Sequence, residues 1–276
     1  MEKPVSRATE PQNDPARLRQ AGEIHKKIMT GVTRIIQEDF AGMITADVNE
    51  YIDDQIAKAG MEAAFKTVPG YDYASCISVN NIVVHGTPND TPLLAGDHVT
   101  VDFGVSNDGY IVDAADSWIV GKKEKDDLIQ AAYDVRAAMV DAVVVGAKAM
   151  DLALAAQPLA KELAKSNIYI LGDFTGHGIS RNNLHTTPCI PCVPVNTKMP
   201  TKDFEHQCLR ERYRLRDGDC IAIEPVLVKT NKNPKKGLRI TVQQDGWTIR
   251  LDDKDAIAVH CEHTLLVTRG KPEILA

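Results

Sequence analysis

The sequence predicts an α+β protein made of two halves, each a run of helices followed by a run of strands, packed as one domain. Three observations predict it. An amphipathic helical pattern begins near residue 15, and a strong hairpin pattern follows at about 98–119. Helical periodicity then returns over 124–165 and gives way to strands between 219 and 268.

Each element has its own signal. Residues 1–14 are polar, carry no signal-peptide core and are expected to be disordered. From Pro15 to about Phe40, Leu18, Ala21, Ile24, Ile28, Val32 and Ile35 recur at helical steps. Thr45, with Asp47 behind it, starts a second helix to about Ala59. Residues 75–85 read as strand, turn, strand. Two alternating runs flank Asn107-Asp108-Gly109 and form the hairpin. Helices are expected over 124–147 and 151–165, then strands near 219–228, 238–243, 247–251 and 258–268.

Composition narrows the function. With 276 residues and 43% hydrophobic content, the chain can bury a sizeable core. A net charge of −6 disfavours direct nucleic-acid binding and anionic membranes, and no apolar run has membrane-spanning length. Six cysteines without scaffold density suit a cytoplasmic protein with free thiols. Cys189 and Cys192 have CxxC spacing but no second pair, so loop cysteines are the simpler reading.

Five residues carry the chemistry. Folding the hairpin about its 107/108 midpoint sets Asp102 opposite Asp113, with β-carbons about 5 Å apart. Facing carboxylates repel unless a cation or proton lies between them; the ordinary alternative is a solvated pair on a sheet rim. His177 sits between two glycines in Phe174-Thr-Gly-His-Gly-Ile179, read as a tight loop that projects the imidazole. Glu224 ends an apolar strand before Pro225, and Glu262 lies within another. Each needs a ligand or an ion pair once buried. Those strands hold almost no Lys or Arg, so a metal cation answers all the carboxylates together. Oxygen and imidazole donors suit two adjacent divalent ions such as Mn, Fe, Co or Zn.

These residues resemble the methionine aminopeptidases of the pita-bread metallopeptidase superfamily, from about residue 18 to the C-terminus. The resemblance is carried by Asn81-Ile-Val-Val-His85-Gly-Thr-Pro88, Val101-Asp102-Phe103, Tyr110-Ile-Val-Asp113, Gly176-His177-Gly-Ile179, Ile223-Glu224-Pro225, Asp245-Gly-Trp247-Thr248 and Cys261-Glu262-His263-Thr264. A short segment after Glu224 and the Val84-His85-Gly86 wording resemble type I. The resemblance implies a pita-bread domain over 15–276: two pseudo-symmetric α/β halves with an antiparallel sheet covered by helices. It implies release of N-terminal methionine from nascent polypeptides, with a metal-bridged water as nucleophile. Asp102, Asp113, His177, Glu224 and Glu262 would be the metal ligands. Glu262 and Asp102 would bridge or chelate both ions, Asp113 would hold one, and His177 with Glu224 the other. Glu224 would also shuttle the proton. His85 would contact substrate near the scissile amide, and His185 would stabilise the carbonyl oxygen. Tyr71, Cys76 and Trp247 would line the pocket for the N-terminal side chain, with ordinary core packing as their alternative. A monomer in the cytoplasm is expected, with the ribosome as a candidate partner.

The chain departs from that pattern around the cleft. Ser180 replaces a usual glycine, the 180–185 loop is one residue longer, Leu184 holds an aromatic pocket position, and Thr186-Thr187 replace two acidic residues. An insertion of roughly a dozen residues lies near 193–213. The Val101-Asp-Phe-Gly104 wording leans towards type II and proline-directed relatives. Three alternatives follow: a proline-directed aminopeptidase or dipeptidase, a creatine-like amidinohydrolase, and a non-catalytic pita-bread binding protein. The first two usually have longer chains, and the third typically loses metal ligands.

Overall fold

The computed structural model describes residues 13–194, 213–232 and 238–276. Most of the segment expected to be disordered, and nearly all of the 193–213 insertion, lie outside the described residues. Asp14, the last residue of that segment, is a helix cap: its carboxylate accepts from Ala16 and Arg17 N–H, ahead of Pro15 in the first turn.

Among the described residues there are four α-helices: α1 (Pro15–Arg34), α2 (Thr45–Lys58), α3 (Asp127–Asp141) and α4 (Ala149–Leu163). The first continues as a π-helical turn over Ile35–Asp39. The third is shorter than predicted. Asp126 caps it by accepting from Leu128 and Ile129 N–H, and the β-branched run Val143-Val-Val145 is a poor helical continuation.

The strands are β1 (Glu62–Ala63), β2 (Ser75–Val79), β3 (Ile82–Val84), β4 (His98–Asn107), β5 (Tyr110–Ile119), β6 (Ile168–Ile170), β7 (Thr175–Ser180), β8 (Asn183–Pro191), β9 (Cys220–Ile223), β10 (Val226–Lys229), β11 (Ile240–Val242), β12 (Ile249–Leu251), β13 (Ile257–His260), β14 (His263–Leu266) and β15 (Glu273–Ile274). They form antiparallel sheets in the orders β1-β4-β2 with β5 on β4, β13-β10-β6, β11-β12-β3 and β15-β14-β9-β7-β8. One core packs Leu18, Ile28 and Val32 of α1 and Ile52 of α2 with Val101, Phe103 and Val112 of the hairpin. A second packs Leu128, Val135 and Met139 of α3 and Leu152 of α4 with Ile221, Ile223, Val259 and Leu265. These are the two expected α/β halves, with the antiparallel strands divided among several sheets. Among the described residues no helix is long and apolar enough to cross a membrane.

Three expectations need correction. The hairpin loop is Asp108-Gly109, closed by the Asn107–Tyr110 pair. Both loop residues have positive φ, 55° and 83°, as a two-residue turn of the I′ kind requires, and Asp-Gly meets that need better than Asn-Asp. Asp102 therefore pairs with Ala115 and Asp113 with Gly104. The two aspartates are diagonal neighbours, still on one face because the shift preserves the alternation. Secondly, His177 lies in strand β7, not in a loop, and the expected 180–185 loop is the tight turn and start of β8. The strand that begins there also contains Cys189, so it is not a loop cysteine. Thirdly, the predicted strands 219–228 and 258–268 are each two strands, interrupted at Glu224-Pro225 and at Cys261-Glu262. The functional residues sit at those interruptions.

Candidate metal centre and substrate cleft

The pairing of β9 with β14 and that of β10 with β13 keep one common register, so Glu224 stands directly opposite Glu262 across the interruption. Backbone leaves the ladder there, and both carboxylates turn towards the β4–β5 hairpin. Glu262 N–H donates to Ala115 O at 2.8 Å, tying the two sheets together. The Thr264 hydroxyl donates to Asp113 O at 2.6 Å and accepts from Asp113 N–H at 2.7 Å. The Asp113 backbone is thereby fixed on the same floor.

His177 is delivered by close backbone packing. A Cβ at Gly176 would stand 2.3 Å from Ala222 O, and one at Gly178 2.3 Å from Thr187 O. The flanking glycines therefore let β7 fit between β9 and β8. His177 Nδ1 donates to Gly178 O at 3.1 Å, which turns Nε2 to the site. Nε2 lies 3.3 Å from Glu224 Oε1 and 4.0 Å from Asp113 Oδ2.

The donors form two groups that share Glu262. Asp113, His177 and Glu262 offer ligand atoms within 4.8 Å of one another, and so do Asp102, His260 and Glu262. This differs from the distribution implied by the resemblance: Asp113 keeps company with His177, and Asp102 stands at the other end. His260 was missed. Its signal was present in the sequence, because in the strand expected over 258–268 it lies two residues before Glu262 and would take the same face.

The residues fit a bound cation. Asp113 and Glu262 are 3% and 2% exposed, yet Asp102 Oδ1, Asp113 Oδ1 and Glu262 Oε1 are buried without a hydrogen-bond partner. Arg136 is the only buried Lys or Arg among the described residues, and it donates to the backbone carbonyl of Glu262. Burial first, and then the neighbouring carboxylates, push the Asp102, Asp113 and Glu262 carboxyls well above their usual range. Burial also opposes ionisation of Glu224, but the hydrogen bond and charge of His177 outweigh it and hold this carboxyl below the usual range.

All ten residues singled out from the sequence line one cavity, together with Phe65, Val68 and Leu184. It encloses about 170 Å³, the scale of a cavity that accepts one ring-sized or thioether side chain. Phe65 and Val68 were not foreseen because they lie in a short 3₁₀ turn and its exit, without strand or helix periodicity. Cys76 is directly opposite Asp102 in the β2–β4 ladder, so the apolar wall adjoins the donors. The Tyr71 hydroxyl donates to Ser75 O at 2.8 Å, and its ring meets Trp247 edge-on at 5.1 Å. Burial raises the Cys76 thiol well above its ordinary value, so it is an uncharged, polarisable surface.

The two remaining histidines flank the donors. His85 has φ 57°, and Gly86 follows it because a Cβ there would stand 2.3 Å from Ile77 O. The Asp245 carboxylate accepts from Thr87 Oγ1 at 2.8 Å and from Trp247 and Thr248 N–H at 2.9 Å. It therefore clamps the His85 loop to the Trp247 turn. The His185 ring is 4.4 Å from that of His177. Both open to the cleft yet are recessed among protein atoms. Desolvation lowers the pKa of each, that of His185 to about 4, so both rings are neutral near pH 7.

The sequence profile of metallopeptidase family M24 matches residues 16–269. The chain belongs to metallopeptidase family M24. It is 30% identical over 274 residues to a methionine aminopeptidase of Aquifex aeolicus, covering 96% of each chain. It is 32% identical over 270 residues to methionine aminopeptidase 1 of Mycobacterium tuberculosis, covering 93% of each. The crystal structure of methionine aminopeptidase from Thermotoga maritima superposes on this metallopeptidase with TM-score 0.80 at 27% identity, over 97% of this chain and 99% of that one. A prolidase from Pyrococcus furiosus shares the fold alone, at TM-score 0.66 and 19% identity, with 64% of its chain covered. Membership of the family implies divalent metal ions, and the pita-bread fold expected from the sequence is that of these neighbours.

Proposed function

We propose that this metallopeptidase is a dinuclear aminopeptidase that removes methionine from the N-termini of nascent polypeptides. The observation that carries this reading is the shared Glu262: two donor groups meet on one carboxylate, at the floor of a cavity whose next wall is aromatic and apolar. Asp102, Asp113, His177, Glu224 and Glu262 would hold two ions, drawn from Mn, Fe, Co or Zn. Divalent ions bound there supply a water of lowered pKa and polarise the scissile carbonyl.

The protein groups do the rest. Glu224, low in pKa and at the edge of the donor set, accepts the proton of the attacking water and returns it to the leaving amine. His185, neutral and beside His177, donates an N–H to the oxygen that becomes negative. His85 contacts the substrate beside the scissile amide. Tyr71, Cys76, Phe65 and Trp247 receive the N-terminal side chain, for which an unbranched thioether is a good match. We propose a cytoplasmic monomer that meets its substrates as they leave the ribosome.

Release of free methionine from Met-Ala-Ser tests the reading, using metal-stripped protein reconstituted with Mn or Co and a Xaa-Pro peptide alongside. Metal-dependent methionine release is the expected result. Cleavage of the Xaa-Pro peptide alone would move the assignment to a proline-directed enzyme. Metal uptake with neither peptide cut would make it a binding protein.

A further inference from the structure

We propose that His260 is a metal ligand that supplies a nitrogen donor at the Asp102 end of the centre. This rests on the reading of the site as a metal centre and adds to it a residue outside the five-ligand set. His260 ends β13 and is 2% exposed. Its Nδ1 is buried without a hydrogen-bond partner. Its Nε2 stands 3.8 Å from Asp102 Oδ2, too far for a hydrogen bond. Two donors on one ion stand roughly 3–3.5 Å apart, given ion–donor distances of about 2.1 Å. A cation would therefore draw Asp102, His260 and Glu262 together by movements on the order of an ångström.

An ordinary core histidine looks different in this same molecule. His25 is equally buried, but its Nε2 reaches Phe103 O at 3.0 Å and Ala114 O at 3.2 Å, and its ring stacks on Phe103. His260 has no such partners for its ring, whereas its backbone is held firmly. Ser117 Oγ donates to His260 O at 2.7 Å and is itself paired with Thr100 Oγ1 at 2.8 Å. The β10–β13 ladder sets His260 opposite Val226. His260 does not line the substrate cavity, so its reach is towards the donors and not towards a peptide. With it, each donor group has one imidazole nitrogen and two carboxylates. An added nitrogen shifts preference from Mn towards Zn, Co and Fe at that end.

The test uses the full chain loaded with two equivalents of zinc. X-ray absorption at the zinc edge counts imidazoles through their multiple scattering. About one imidazole per zinc is expected in the unaltered protein, and about half that in His260→Gln. Calorimetric titration with zinc chloride should show one of two sites weakened at least about tenfold in the variant, with manganese affected less. A count of about one half in the unaltered protein, from His177 alone, overturns the proposal. So does weaker zinc binding with an unchanged imidazole count, which would mean that His260 acts through Asp102. If H260Q fails to fold, the count on the unaltered protein decides. Failure to take up any metal would instead overturn the metal-centre reading itself, and this proposal with it.

Discussion

At the scale of single residues, this site concentrates like charges that the fold alone leaves unbalanced. Asp102, Asp113 and Glu262 each keep a buried oxygen without a partner, and the nearest buried cation bonds to backbone. Glu224 differs, because His177 holds it ionised. Glu224→Gln should therefore lower kcat by about 10²–10⁴-fold while circular dichroism and Tm stay near those of the parent; activity within a fewfold of the parent, with metal content verified, would remove Glu224 from the proton relay. His25 gives a pH prediction away from the metals. Burial lowers its pKa to about 4, below the roughly 6.5 of an unfolded histidine. The unfolded chain thus binds the extra proton first, and stability is lost as pH falls from about 6.5 to about 4. His25→Gln should flatten the fall of Tm across that window; an unchanged slope would show that other groups govern it.

At the scale of elements, the site depends on strands that approach unusually closely. β7 enters its sheet on two glycines, and Gly178→Ala would push a Cβ to 2.3 Å from Thr187 O. Separation of β7 from β8 would part His177 from His185. A loss of about 1–3 kcal/mol in denaturant unfolding is expected, with kcat falling further than KM changes. The Asp245 clamp makes a separate forecast. Asp245→Ala frees the Trp247 turn from the His85 loop without touching a metal donor, so KM for Met-Ala-Ser should rise several-fold while metal affinity stays constant. An equal loss of metal affinity would show that the clamp supports the donors as well. The hairpin was legible because Asp-Gly between alternating runs is a strong local signal. Strands β7 and β8 were not, because Gly-His-Gly and Thr-Thr-Pro-Cys carry no alternation and are strands only through their neighbours.

At the scale of the whole molecule, two helix-covered halves bring donors from β4, β5, β7 and the β9–β10 and β13–β14 interruptions to one floor. Metal held by these donors would link both halves and favour the folded chain, so it should stabilise by mass action. Removing metal by dialysis against a chelator should lower Tm by several degrees, restored by Mn or Co, and Asp113→Asn should blunt the difference. Equal Tm with and without metal would mean that the halves do not rely on the centre.

The sequence by itself determined the α+β order, the hairpin and the five donors Asp102, Asp113, His177, Glu224 and Glu262, from local rules: periodicity, turn chemistry, a glycine-flanked histidine and the cost of burying a carboxylate in an apolar strand. His85, His185, Tyr71, Cys76 and Trp247 came from the resemblance to a known family. Only the tertiary structure decided which donors share an end of the centre. It placed Glu224 opposite Glu262, set Asp102 and Asp113 diagonally, and brought His260 beside Asp102. Alternation along a strand says which face a side chain takes. Which distant strand meets that face depends on pairings between segments more than a hundred residues apart, such as Asp113 with Thr264, and no local pattern encodes those.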